Sequence, residues 1–303
     1  MSVQKINEFL YLTDLKPAGF AGFIASYTLL GDKVGIVETG PTSTVNNLLK
    51  GLDEIGVKYS DVSFIAISHI HLDHGGGAGT LVKYLPNAKL IVHPRGAANL
   101  VNPEKLWQQS RQVLGTVAEM YEAPEPVPPE RILPTSDGMT IDLGRGVKLE
   151  AMETLGHASH HYSYFETKDR ILFPGDAAGI YLNQFDVIVP TTPPPFHLET
   201  ALASIKKLER KTPSLLCYTH FGVATDAKEK LERHAAQLRL WAKIVGDSLR
   251  KGETMDVMID AIRRGDPAIN SVHDYMTTHP VLGRSMIKQN AQGFVGYLQK
   301  PTN

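Results

Sequence analysis

From Ser68 to Gly77 the chain reads Ser-His-Ile-His-Leu-Asp-His-Gly-Gly-Gly, placing four side chains that can bind a metal within six positions. The segment follows directly on SFIAIS (63–68), a continuous apolar run of the kind that forms a buried strand. Alternate residues of an extended strand project to the same side, so His69 and His71 can reach one point together. Asp73 and His74 then fall on a turn into Gly75, Gly76 and Gly77, where the absence of side chains lets the chain bend sharply. A helix interior would scatter the four groups, whereas a strand-to-loop edge converges them. Lone histidines are common on surfaces; this grouping is a metal-site pattern.

The rest of the chain supplies a framework for such a site. Val3–Leu12, Ala21–Leu30 and Val34–Glu38 read as strands, with Gly31-Asp32 as the turn between the last two. A helix is expected over 42–55, where Val45, Leu48, Leu49, Leu52 and Ile55 recur at helical spacing. A second helix is expected over 76–85, a buried strand at Lys89–Val92, and one or two helices over 96–122 that end at the proline-rich APEPVPPE. Within that helical insert Leu106, Trp107 and Val113 read as a core-facing stripe. Strand signals return at 131–133, 139–142, 147–154, 162–167 and 170–174, followed by a helix over 198–210 and a strand at 215–218. From Asp226 onward the reading is helical, over 226–250, 253–264 and about 279–290. Two β-rich halves, each ending in helices, predict an α/β (α+β) protein with sheet packed on sheet and helices outside, a four-layer αββα sandwich. Residues 1–225 form the expected catalytic domain, and 226–303 a C-terminal helical extension packed on it.

Composition narrows the function. Apolar residues are 42% and charged residues 21%, with a net charge of −1 and no dense Lys/Arg stripe, so nucleic acid is not an expected partner. No apolar run approaches the ~20 residues that cross a bilayer, so no membrane partner is expected. MSVQKINEFLYLTDL has no charged-then-apolar leader. The single cysteine, Cys217, reads as an inert thiol in a strand and suits a reducing compartment. The expectation is a cytoplasmic enzyme with a small-molecule substrate, its oligomeric state left open.

The histidine motif resembles the signature of the metallo-β-lactamase superfamily, in its glyoxalase-II-like and lactonase-like branches. The resemblance extends along nearly the whole chain. Gly156-His157 resembles the third-histidine motif, Phe173-Pro174-Gly175-Asp176 the bridging-aspartate motif, and Thr219-His220-Phe221-Gly222 the final histidine motif. Carried over, it implies that His69, His71 and His157 hold one metal and that Asp73, His74 and His220 hold another, with Asp176 bridging. The implied cofactors are two divalent ions; nitrogen and oxygen ligands suit Zn first, with Fe or Mn also open. A shared water brought to hydroxide near neutral pH would then attack an ester, thioester, lactone or phosphodiester, with Asp73 orienting the nucleophile or relaying a proton. A mononuclear-iron sulfur (persulfide) dioxygenase on the same fold is the alternative of a different class. A non-enzymatic zinc-stabilised binding module is a third, although structural zinc sites are usually closed and cysteine-rich. Class B β-lactamases usually lack the bridging aspartate, so Asp176 points away from antibiotic hydrolysis.

Around this set, Glu38 stands where the family more often has Asp, and is expected to brace the histidine loop. His161 lies four positions after His157 and is expected at the rim of the site, with His160 beside it. Phe20 and Phe23 lie in the loop that overhangs the metals in this fold, and Thr191–Phe196 (TTPPPF) is a stiff apolar segment. Together with Tyr162, Phe20, Phe23 and Phe196 form the expected substrate pocket. His93 reads as a structural strand-end residue, His279 carries no functional signal, and His197, His234 and His273 are expected to face solvent.

Overall fold

The computed structural model describes residues 2–299. Its first sheet runs in spatial order through β1 (Val3–Lys5), β2 (Leu10–Asp14), β3 (Ala25–Leu30), β4 (Val34–Val37), β5 (Val62–Ala66), β6 (Lys89–Val92) and β7 (Ile132–Pro134). The pairs up to β3–β4 are antiparallel; those from β4–β5 to β6–β7 are parallel. Parallel neighbours need crossover connections, and helices supply them. These are α1 (Val45–Glu54), then α2 (Leu72–Gly75) and α3 (Ala78–Tyr84), then α4 (Pro94–Val101), α5 (Glu104–Leu114) and α6 (Thr116–Tyr121).

The second sheet begins with β8 (Thr140–Gly144), β9 (Val147–Glu153), β10 (Tyr162–Glu166) and β11 (Ile171–Phe173). A small hairpin, β12 (Ile180–Leu182) and β13 (Val187–Val189), and helix α7 (Leu198–Glu209) intervene. The sheet is completed by β14 (Leu215–Tyr218) and β15 (Gly222–Ala224), in the order β15-β14-β11-β10-β9-β8. Alternation along the strands decides which faces meet. Tyr27, Leu29, Val37, Ala66 and Ile91 pack from the first sheet against Leu149, Ala151, Tyr164, Phe173 and Cys217 of the second. Their neighbours Ile36, Ile65 and Leu90 join Leu48, Leu52, Leu81 and Leu85 on the helical side. Each such side chain contributes about 1.5–3 kcal/mol on burial. Strands β4 to β6 bury both faces, which is why they read as unbroken apolar runs. The architecture is the αββα sandwich.

Five helices follow: α8 (Ala227–Arg250), α9 (Met255–Gly265), α10 (Pro267–Ser271), α11 (His273–Thr278) and α12 (Gly283–Leu298). α8 lies on α7, on β13 and on the turn Gly175–Ala178, and α12 lies on α8 and α9. Asp266 organises the inner face of this group. Its Oδ2 accepts from Trp241 Nε1 and Gln237 Nε2, while its Oδ1 caps the backbone of Ala268 and Ile269.

Several elements differ from the sequence reading for visible reasons. Val3–Leu12 is two strands because Asn7 Oδ1 accepts from the amides of Phe9 and Leu10 and closes a turn there. The hairpin at 180–189 and helices α10 and α11 were not expected. The last helix starts at Gly283 rather than 279, because His279 Nδ1 accepts from Val281 and Leu282 N–H and makes a turn of its own. The stripe in the insert is incomplete: Leu106 is buried, but Val113 is 59% exposed.

Candidate metal centre

The end of β5 delivers the histidine loop to the edge of the sandwich. His69 and His71 come off the strand, but Asp73 and His74 lie on the single turn of α2 rather than on a glycine bend. None of Gly75, Gly76 and Gly77 has a positive φ. The requirement there is for closeness: a Cβ on Gly75 would stand 3.0 Å from the His69 carbonyl oxygen, and one on Gly77 would stand 2.8 Å from Val45 Cγ2. The glycines serve close packing rather than the sharp bend expected of them.

Two donor sets form. In the first, His69 Nε2, His71 Nδ1 and His157 Nε2 are separated by 2.9, 3.1 and 3.2 Å. Metal–nitrogen bonds of 2.0–2.1 Å at tetrahedral angles would set such donors about 3.3 Å apart, so the spacing fits. In the second, His74 Nε2 lies 3.2 Å from His220 Nε2, with Asp73 Oδ2 3.4 Å from His220 Nε2 and 3.9 Å from His74 Nε2. Asp176 stands between them. Its Oδ1 is 3.2 Å from His74 Nε2, and its Oδ2 is 3.5 Å from His157 Nε2. Both sets could hold an ion, and so could a third combination, His69, His74 and Asp176.

Outer hydrogen bonds fix which ring nitrogens face inward. His157 Nδ1 meets the Thr191 carbonyl and His220 Nδ1 the Phe23 carbonyl; a carbonyl only accepts, so each Nδ1 carries the proton. His74 Nδ1 likewise faces Glu38 Oε1 at 3.2 Å. The Nε2 lone pairs of His157, His220 and His74 therefore point into the centre, a crowding that a cation relieves. Asp176 Oδ1 is buried and makes no well-formed hydrogen bond of its own. The donor set fits a metal ion.

Electrostatics separates the two sets. Burial, reinforced by the surrounding rings, holds His69 well below the ordinary imidazole value and His71 at about 3. Burial also opposes charge on His74, but Asp176, Glu38 and Asp73 outweigh it and push its pKa well up. Burial would raise the carboxyls of Asp73 and Asp176; His74 with His220 on one, and His74 with His157 on the other, hold them well below the usual range.

Glu38 does brace the loop. It has a positive φ of 69°, and its carboxylate takes Ser68 N–H and Thr219 Oγ1 as well as His74. His161 is not at the rim. It is fully buried, with Nε2 accepting from the Asp176 amide and Nδ1 donating to Thr154 Oγ1. Thr154 in turn bonds Ser163, whose hydroxyl donates to the Pro174 carbonyl, so His161 steadies the 173–176 turn from beneath. The histidine nearer the opening is His160, its ring centroid 5.8 Å from that of His71.

Of the expected pocket residues, Phe20 is 45% exposed and Phe23 packs on the ring of His220 at 5.0 Å. Tyr162 is not in the pocket: it lies between the sheets and donates to the Thr135 carbonyl. Phe196 is not in it either, being buried against Phe294. The 191–196 segment is a strut. Thr191 holds His157 and the Asp176 carbonyl, while Thr192 bonds Asn290 of α12.

His234 is buried behind Asp176 rather than solvent-facing, and His273 is half-buried; His197 is exposed. His279, which carried no signal in sequence, stacks near Phe23 at 4.6 Å and Phe20 at 6.3 Å. With Tyr275 and Phe185 it extends an aromatic edge beside the second donor set. Only proximity in space marks His279, and no local pattern could have.

The family model of the metallo-beta-lactamase superfamily matches residues 20–220, which span the whole ligand set. This chain belongs to the metallo-beta-lactamase superfamily. A metallo-beta-lactamase fold-containing protein of Sulfurisphaera tokodaii is 25% identical over 84% of this chain and 95% of its own length. A probable metallo-hydrolase of Methanocaldococcus jannaschii is 27% identical over 47% of this chain and 62% of its own. Among solved structures, a metallo-beta-lactamase family protein of Thermus thermophilus superposes with a TM-score of 0.70 at 21% identity, covering 97% of this chain and 94% of that one. As in other proteins of the superfamily, the His/Asp clusters are suited to divalent metals and the fold is that of its hydrolases. No helix among the described residues is long and apolar enough to cross a membrane.

Proposed function

We propose that this chain is a metal-dependent hydrolase with a binuclear site, cleaving an ester, thioester, lactone or phosphodiester bond of a small, partly apolar substrate. One observation carries the reading: Asp176 offers one carboxylate oxygen to each donor set. The second set of Asp73, His74 and His220 offers a place for a second ion. Charge supports two cations as well, since three carboxylates, Asp73, Asp176 and Glu38, gather at the centre. When bound, a pair of divalent ions supplies hydroxide at neutral pH and draws electron density from the oxygen of the bond to be cut.

The protein's own groups do the rest. The inward Nε2 atoms and Asp176 fix the geometry, and Glu38, Thr191 and the Phe23 carbonyl hold the rings in the tautomer that binds. Asp73 is 25% exposed at its side chain, the most open of these carboxylates, and is placed to orient the attacking water or take its proton. Phe20, Phe23 and His279 give one side of the mouth an apolar, aromatic lining. Zinc is the expected occupant because nitrogen donors at this spacing match tetrahedral coordination.

The test is metal analysis of protein purified without added metal, combined with assays on p-nitrophenyl esters, lactones, thioesters and bis-p-nitrophenyl phosphate. Two ions per chain and chelator-sensitive turnover are expected. One iron per chain with oxygen uptake on a persulfide would replace the hydrolase with a dioxygenase, and failure to take up any divalent ion would end both readings.

A further inference from the structure

The helical insert between β6 and β7 contributes a group to the centre that no ligand motif marks. Its last helix, α6, packs on α2, which carries Asp73 and His74, and on the short turns Pro17–Gly19 and Thr42–Thr44. α6 ends at Tyr121. That ring is 1% exposed, and its hydroxyl is buried without any hydrogen-bond partner.

Three other buried phenols are satisfied, while that of Tyr218 is not. Tyr27 donates to the Tyr218 carbonyl, Tyr162 to the Thr135 carbonyl and Tyr164 to the Ile67 carbonyl. A hydroxyl left buried and unpaired costs about 1–3 kcal/mol, and phenylalanine would fill the same space without that cost. At Tyr121 the hydroxyl is free to donate to a group that is not part of the chain.

What surrounds it says what that is. Burial raises the Tyr121 phenol well above its ordinary value, and the carboxylates of Asp73 and Asp176 push it the same way. One of these acids lies on α2, against which α6 packs, and the other on the turn after β11. A protonated phenol can donate there, and the carboxylates themselves do not take the bond.

We propose that Tyr121 is a catalytic hydrogen-bond donor, its O–H presented to the substrate oxygen that gains negative charge when the carbonyl or phosphoryl centre is attacked. The assignment rests on the hydrolytic reading above. It names the substrate by its chemistry, a carbonyl or phosphoryl compound whose oxygen lies on the α6 side of the centre. Hydroxide adds to that centre through its own lone pair, the pair of the double bond moves onto this oxygen, and its return breaks the bond to the alkoxide, thiolate or phenolate, which takes up a proton from water. Tyr121 keeps its own proton throughout.

The decisive variant is Tyr121→Phe in the full-length, metal-loaded protein, with Tyr218→Phe as control. Tyr218 also has an unpaired buried hydroxyl, but the groups around that hydroxyl are Tyr181, Asp226, Arg233 and Asp186, not the metal residues. For Tyr121→Phe we expect unchanged metal content, a melting temperature equal to or above wild type, KM within about threefold, and kcat lower by about 10²-fold, the scale of losing one oxyanion donor. Tyr218→Phe should keep its kcat. A second readout needs no turnover: inorganic phosphate, a small oxyanion, should bind metal-loaded Tyr121→Phe about tenfold more weakly than wild type by calorimetry. If no substrate is turned over, the hydrolytic reading falls while the phosphate measurement still judges Tyr121. Unchanged kcat, a kcat loss that tracks lost metal or lost stability, equal phosphate affinity, or no phosphate binding by wild type would each overturn the proposal.

Discussion

The two donor sets sit side by side but are built from different material. The first, His69, His71 and His157, offers only ring nitrogens, braced by the Ser68 hydroxyl and the Thr191 carbonyl. The second contains a carboxylate, Asp73, and has another, Glu38, directly behind His74. Without a cation His69 and His71 resist protonation, while the second set draws a proton onto His74. Geometry alone would make the two pockets near equals; charge makes the second the stronger attractor for a cation. Asp176 is the one candidate ligand within reach of both.

The sharpest way to break the comparison is to remove that shared ligand. Asp176→Asn should lower kcat/KM by at least about 10³-fold, on the scale of several kcal/mol for metal-supported charge stabilisation, and reduce the metal content measured after dialysis. If both sets stay full and active, they are independent of Asp176. Glu38→Gln tests the asymmetry itself. Loss of an outer-sphere brace typically costs 10–100-fold in metal affinity or activity, and here the cost should fall on one of the two ions, seen by chelator competition. An equal loss at both ions would mean that Glu38 serves the fold rather than the second set.

Acid and base should separate the sets in chelator-stripped protein. His71 is held at about 3 in the folded state against about 6.5 unfolded. The unfolded chain therefore binds more protons between those values, and stability falls as pH drops from 6.5 toward 3. His74 is raised, so its contribution is present below 6.5 and is lost as pH climbs through its folded value. His71→Gln should flatten the acid limb of the melting-temperature profile and His74→Gln the alkaline limb, each by a few degrees. Identical effects on the two limbs would remove the electrostatic distinction. The smallest effect expected is at the mouth: Phe20→Ala should raise KM about fivefold for an aromatic ester, at little cost in kcat, as suits a half-exposed ring. No change would place substrate on the His160 side instead.

Much of this was legible in the residues. The αββα layering follows from alternating and continuous apolar runs, and the seven candidate ligands that the structure gathers were all visible as strand-end motifs. What could not be read are the groups that meet only in three dimensions. His161 looks like a rim residue by its spacing from His157, yet lies under the Asp176 turn because β10 begins at Tyr162 and draws it inward. TTPPPF looks like a lid but is tied to α12. Tyr121 ends a helix and His279 sits in the turn between two, neither with a local chemical signature, and their importance lies in what they are packed against.

The bond between Thr192 and Asn290 has a consequence for how the protein matures. The carbonyl that orients His157 belongs to the neighbouring Thr191, and Asn290 also grips the Pro190 carbonyl. A chain emerging from the ribosome can lay down both sheets and six of the seven candidate ligand side chains with their braces well before residue 290 appears. The seventh, His157, gains its full support only when the helix that carries Asn290 docks, so the first donor set takes shape after the second.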